Sequence, residues 1–434
     1  MSQASIGQGA GAFSGRPRTD AVRIAPPPEV DEELVTLRDR DVKMASIVLA
    51  IAGIACIALT LVSSAFIGKY GAKHALASYH VGAICALGIS LGSLGWVMIL
   101  NLVNAQWHVV MRRILERAAS LIWVGAAMVL VTLLVDVFTG GTLFKWMDPA
   151  YVAGDPIYEH KSGYLNIPFL LIRAVVYISL WFVLARTLTR WSTAQDTTGD
   201  NGLTNKARTL SAPGMLAFAL TTAFAAFDWM MSLDFHWFST MYPVYFFAGN
   251  QMSAIAMLIL VVAYLQTKGK LVGLVTAEHR HDMGKLLLAF CVFWAYVCFS
   301  QYFLIWYSQI PEETAYYVHR QQHGWQYVGF LLAAGHFVLP FVFLLFRAVK
   351  KSTLLLSIAA AWLMVMHFVD VYYNIRPQVS KTQGGFEWLL IDITGAFGPV
   401  LLLGALLLRS LTKGPLIPVK DPKLSLSLSH KNYV

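Results

Sequence analysis

The stretch Phe227–Gln251 reads FDWMMSLDFHWFSTMYPVYFFAGNQ, and long apolar runs continue from both of its ends. Between those runs lies an aromatic-rich turn that carries Asp228, Asp234 and His236 and no Lys or Arg. Trp229, Trp237, Tyr242 and Tyr245 suit a membrane–water boundary, where an amphipathic ring keeps its body in lipid and its polar edge in water. Carboxylates and an imidazole at that depth are expensive unless paired or hydrated, so they mark a functional region by default.

The rest of the chain extends this pattern. Of its 434 residues 57 % are hydrophobic and only 13 % charged, which describes a chain whose main solvent is lipid. At roughly 20 apolar residues per span, ten spans are expected near 45–67, 79–101, 118–139, 164–187, 211–231, 243–265, 286–307, 325–346, 353–372 and 389–409. The expected fold is therefore an all-α polytopic membrane protein with about ten transmembrane helices. The net charge of +9 is spread over short connections and forms no continuous basic stripe, so a nucleic-acid partner is not expected. It acts instead as a topology signal. Lys and Arg crowd the termini and alternate connections, while the opposite side holds only Lys69, Lys73, Lys145, Lys161, Arg320, Arg376 and Lys381. That bias places both termini in the cytoplasm. Trp146, Trp229, Trp237, Trp306, Trp325 and Trp388 fall near the opposite, outer boundary.

Residues 1–43, with Pro26-Pro27-Pro28 before Asp31-Glu32-Glu33, read as a disordered cytoplasmic arm; 44–409 form the membrane domain; 410–434, with KGPLIPVKDPKL, read as an extended tail lying along a partner. The connection at 188–210 reads as flexible, and Glu278-His279-Arg280-His281-Asp282 as a hydrated loop. Cys56, Cys85, Cys291 and Cys298 all lie in apolar runs and read as small buried hydrophobes. With no CxxCH and no paired CxxC, no haem, iron–sulfur cluster or other metal is expected on this chain. His80, His336 and His367 also lack the paired spacing of haem b ligands.

The costly polar residues cluster toward the outer ends of the spans. His80 opens span two, Asp136 closes span three, Asp228 ends span five, and Asn250 and Gln251 enter span six. Arg173 lies inside span four, too deep to stand without a partner, and Asp136 is the nearest acid by depth. Gln301 is near the outer end of span seven, His336 is close to mid-membrane on span eight, and Asp392 begins span ten. His367 and Asp370 are three apart and share a helix face. An imidazole that titrates near neutrality suits proton relay.

Asp228-Trp229-Met230-Met231-Ser232-Leu233-Asp234 with Trp237-Phe238-Ser239-Thr240 resembles a signature of the NrfD-like (polysulfide-reductase) membrane subunits, most nearly the ActF-type subunits of alternative complex III. Trp107 with Arg112-Arg113, Ser300-Gln301-Tyr302 with Ile305-Trp306-Tyr307, Ile310-Pro311-Glu312-Glu313-Thr314 and Pro418-Val419-Lys420-Asp421-Pro422 agree, so the resemblance runs from span two to the tail. Phe235 departs from it, standing where the pattern carries proline. The resemblance implies two four-helix bundles plus two peripheral helices. It also implies a bacterial inner-membrane complex with a sister NrfD-like subunit, an iron–sulfur protein and c-type cytochromes on the outer side, which oxidises quinol. Under that reading Asp136, Asp228, His336, His367 and Asp370 handle protons, Arg173 supports them electrostatically, and His80 and Gln301 are candidate quinone contacts. A secondary transporter, or a membrane anchor without chemistry of its own, are the competing readings. No internal repeat favours the transporter, and Pro168, Pro213, Pro340 and Pro399 would permit broken helices.

Overall fold

A computed structural model describes residues 30–66, 71–379 and 389–432. The arm through residue 29, Lys69, Lys381 and Trp388 lie outside them. Among the described residues ten helices are long and apolar enough to cross a membrane. They are α1 (Asp39–Phe66), α2 (Gly71–Leu102), α3 (Val109–Phe138, broken at Ser120–Leu121), α4 (Ile167–Thr198), α5 (Gly202–Trp229) and α6 (Tyr242–Thr267), followed by α7 (Ala277–Ser308), α8 (Trp325–Leu345), α9 (Thr353–Val379) and α10 (Leu389–Ser410). The chain is a polytopic all-helical membrane protein, with no strand among the described residues.

Helices α2–α5 form one group of four and α6–α9 a second, joined where α2 packs on α6 and α9; α1 and α10 pair with each other and lie against α2. The centre is α2. Its sequence is apolar or small all round, the signature of a helix buried on every face, and almost all of it is buried. Gly88 and Gly92 let it approach α6: a Cβ at Gly92 would fall 2.1 Å from the Asn250 carbonyl oxygen, and one at Gly88 2.3 Å from Asn250 Oδ1. Small residues at such crossings let membrane helices associate by close packing.

The short connections make neighbouring spans antiparallel and give the molecule two ends. One, here the loop end, gathers 139–166, 230–241 and 309–324. The other, the terminal end, holds Val30 and Asn432, where the described residues begin and end. Several helices outrun the sequence-based boundaries there. α4 reaches Thr198 and α5 resumes at Gly202, so the flexible connection expected over 188–210 is two helix ends and a three-residue turn, with Gly199 in the left-handed region. Glu278–Asp282 is not a loop but the first turn of α7, where Thr276 and His279 form a reciprocal cap. The tail lies along this chain's own helices: Val419 N–H donates to Asp196 (3.1 Å), and Ser427 touches the Trp107 carbonyl (2.7 Å) and His279 Nε2 (3.1 Å). Of the arm, Val35 and Leu37 are buried, and Leu416 N–H donates to the Val35 carbonyl (2.7 Å).

Candidate functional site

Each helix group contains one buried polar node toward the loop end. In the first group Arg173 of α4 meets Asp228 of α5 through two bonds, Nε–Oδ2 and Nη2–Oδ1, both 2.8 Å. The Tyr177 hydroxyl donates to Oδ2 (3.0 Å), Arg173 Nη1 donates to the Tyr164 carbonyl (2.9 Å), and the guanidinium lies 3.8 Å over the Tyr164 ring. The planar fork is matched to the carboxylate, so the charge is neutralised on the spot. Asp136 is not the partner of Arg173. It accepts the backbone N–H groups of Leu143 (2.6 Å) and Phe144 (2.7 Å) and thereby folds the connection after α3. Depth along the axis suggested Asp136; helix rotation turns it toward its own loop. His80 belongs to this group as well. Its Nε2 bonds the Trp229 carbonyl at 2.7 Å, and its ring meets Phe144 edge-on.

The second group is built differently. Asp370 of α9 is buried and bonded by neutral donors: the Tyr245 hydroxyl from α6 at Oδ1, and Trp294 Nε1 from α7 at Oδ2 (3.1 Å). Asn374, one turn further on α9, donates to the Tyr245 oxygen (3.0 Å) and accepts from the Tyr316 hydroxyl (3.2 Å). Below it, His367 Nδ1 lies 3.6 Å from Asp370 Oδ2. The His336 ring packs 3.9 Å from Trp294 and 6.3 Å from His367. Both nitrogens of both imidazoles lack a hydrogen-bond partner among the described residues. Two backbone features hold these rings. Gly249 leaves the space His367 occupies, since a Cβ there would sit 2.4 Å from Cε1. A π-helical segment, Leu332–Val338, carries His336 into the core, with Trp362 Nε1 bonding the Gly335 carbonyl (2.6 Å). Such π segments recur at functional sites.

Helix α7 packs on the π segment and on Leu339–Leu345, whereas Trp325–Leu331 packs on α9. The wedge left between α7 and the first part of α8 is a cavity of about 670 Å³, and Tyr245, Trp294 and Asn374 lie on its floor. Gln301 lines it, bonded to Ser239 (2.9 Å) and Tyr317 (3.0 Å). His80 does not.

Of the residues singled out in the sequence, the structure therefore joins His336, His367 and Asp370, with Gln301 nearby, and separately Arg173 with Asp228. Asp136 and His80 hold the turns of the first group. Reading the sequence missed Trp294, Asn374 and Arg320. Asn374 carried a usable signal, four residues beyond Asp370 and thus on its face; Trp294 and Arg320 did not. Asp392, which begins span ten, is buried at a third junction, where Arg376 (2.9 Å), Ser78 (2.6 Å) and Tyr372 (2.8 Å) bond it and tie α2, α9 and α10 together.

Comparison with family models finds no match for this chain, and comparison with curated proteins finds none either.

Proposed function

We propose that this chain is the integral membrane subunit of a bacterial quinol-oxidising electron-transfer complex of the alternative complex III type, and that its second helix group handles the protons. Quinol oxidation releases both electrons and both protons. The electrons need acceptors on partner chains, an iron–sulfur protein and c-type cytochromes beside a sister NrfD-like subunit. The protons need a base within hydrogen-bond reach. One observation supports the reading above the others: Asp370 is buried among neutral donors, with no Lys or Arg bonded to it among the described residues, and adjoins two imidazoles whose nitrogens make no hydrogen bond there. Asp228, by contrast, is clamped by the Arg173 guanidinium through two bonds. Tyr245 links Asp370 to the cavity, and His367 and His336 continue from it toward mid-membrane. The loop end faces outward in this reading, as the placement of basic residues requires.

The test is purification from native membranes with Asp370→Asn and His336→Leu variants. The expected result is co-purification with haem proteins, intact assembly, and quinol oxidation reduced by about 100-fold in Asp370→Asn, within the range for losing a proton-transfer group. Unchanged turnover and proton release in an assembled complex would leave an anchor. A lone, colourless chain that binds a solute would favour transport.

A further inference from the structure

The wedge between α7 and α8 has a mouth and a floor of opposite character. At the mouth Phe330 is 71 % exposed, Phe299 63 % and Val338 50 %, on helices whose outer faces meet lipid. The opening is therefore lateral, onto the bilayer. At the floor lies Arg320, 1 % exposed, on the short helix Pro311–Arg320. Its guanidinium rests 3.3 Å over the Tyr316 ring and donates to the main-chain carbonyls of Tyr316 (3.0 Å), Tyr373 (3.2 Å) and Asn374 (3.0 Å). No carboxylate among the described residues forms an ion pair with it. A guanidinium has five N–H donors, so three carbonyls leave donors over, and carbonyl dipoles compensate the buried charge only in part. Asn374 stands between this cation and Asp370, touching both and keeping them apart.

We infer that this wedge is a binding site for a single-tailed membrane amphiphile whose compact head presents a carbonyl oxygen to Arg320, the tail leaving between Phe299 and Phe330. The cavity volume lies within the range of small-molecule sites, which are mostly apolar with a few convergent polar groups. The aromatic walls accept a flat ring, and the uncompensated cation favours an electron-rich oxygen. Prenyl quinones and long-chain fatty acids share that chemistry. The inference rests on the functional reading above only where the occupant is a quinone.

Full-length protein in phosphatidylethanolamine nanodiscs would be irradiated with tail-diazirine forms of a prenyl naphthoquinone, a long-chain fatty acid and phosphatidylethanolamine. The expected result is labelling of 292–302 and 326–338 by the quinone or the fatty acid, displaced by its unlabelled form. Arg320→Gln should weaken that displacement about tenfold, as expected for loss of a hydrogen bond from a charged donor. Ala333→Trp, at the lipid-facing wall, should abolish labelling even if Arg320→Gln fails to fold. Equal labelling by the phospholipid, or labelling that survives Ala333→Trp, overturns the inference. Quinol turnover by the native complex is scored separately. If the nanodisc labelling fails while turnover persists, the site is lost and the functional reading stands; labelling in nanodiscs, when the chain purified from native membranes carries no haem proteins and no quinol turnover, does the reverse.

Discussion

Asp228 and Asp370 are both buried carboxylates near the loop end, and their surroundings differ in one respect that decides their chemistry. Asp228 has a guanidinium fully engaged with it. Asp370 has a phenol, an indole and an amide bonded to it, and the His367 imidazole 3.6 Å away. Removing one member of a buried ion pair leaves an uncompensated charge, so Arg173→Met should destabilise the protein by about 3–5 kcal/mol, read as a lower thermal unfolding midpoint in detergent. The double variant Arg173→Met/Asp228→Leu should recover most of that loss, because no charge is then left behind. Asp370→Asn predicts the opposite pattern: the shape persists, the midpoint moves by less than about 1 kcal/mol equivalent, and the loss falls on turnover. The acids themselves were legible in the sequence, since Asp in an apolar run stands out. Their roles were not. Depth pointed Arg173 to Asp136, and only the facing of α4 and α5 gives it Asp228 instead.

At the scale of elements, α2 and α6 depend on glycine. Gly92→Leu would drive side-chain atoms into the backbone of Asn250, the closest approach a Cβ would make at any described glycine. The cost should reach about 3 kcal/mol, the upper end for overpacking, and show as loss of a monodisperse peak on size-exclusion chromatography. The loop end has its own clamp: His236 Nε2 bonds Asp155 Oδ2 at 2.6 Å, tying the Pro156–Lys161 helix to the turn after α5. That bond, with backbone N–H groups of Tyr158 and Ile157, holds the Asp155 carboxyl below its usual value. The clamp is therefore complete above the ordinary carboxylate range and is lost as the pH falls through the lower folded value. Hydrogen exchange of 156–161, corrected for intrinsic rates, should speed up only below about pH 4, and at every pH in His236→Ala. The π segment in α8 had no sequence signal beyond Gly335 and His336, because it depends on what packs around it.

Across the whole molecule the two helix groups share a fastener at the terminal end. Arg112 forms ion pairs with Glu116 (3.0 Å) and Asp421 (2.7 Å), and Arg113 bonds Asp196 (2.6 Å), all nearly out of solvent. The tail brings Asp421 to this cluster and then runs on to the second group, where His430 meets Asp282 at 2.5 Å. Truncation after Leu416 should strip Arg112 of one partner, uncover the site of Leu424, and loosen the groups from one another. The check is limited proteolysis, with earlier cleavage near 103–108 and 268–276 than in the full chain.

The sequence by itself determined that this is a ten-span helical membrane protein and that its acids and imidazoles lie mostly toward one end of the spans. Both follow from quantities that run along a single axis: the length of an apolar run and the position of a polar residue within it. Tertiary structure alone decided which acid Arg173 meets, that Asp370 bonds no Lys or Arg among the described residues, and that α7 and α8 part around a cavity with Arg320 at its floor. Those depend on how each helix is rotated and which neighbour it faces, and packing among ten helices sets both at once.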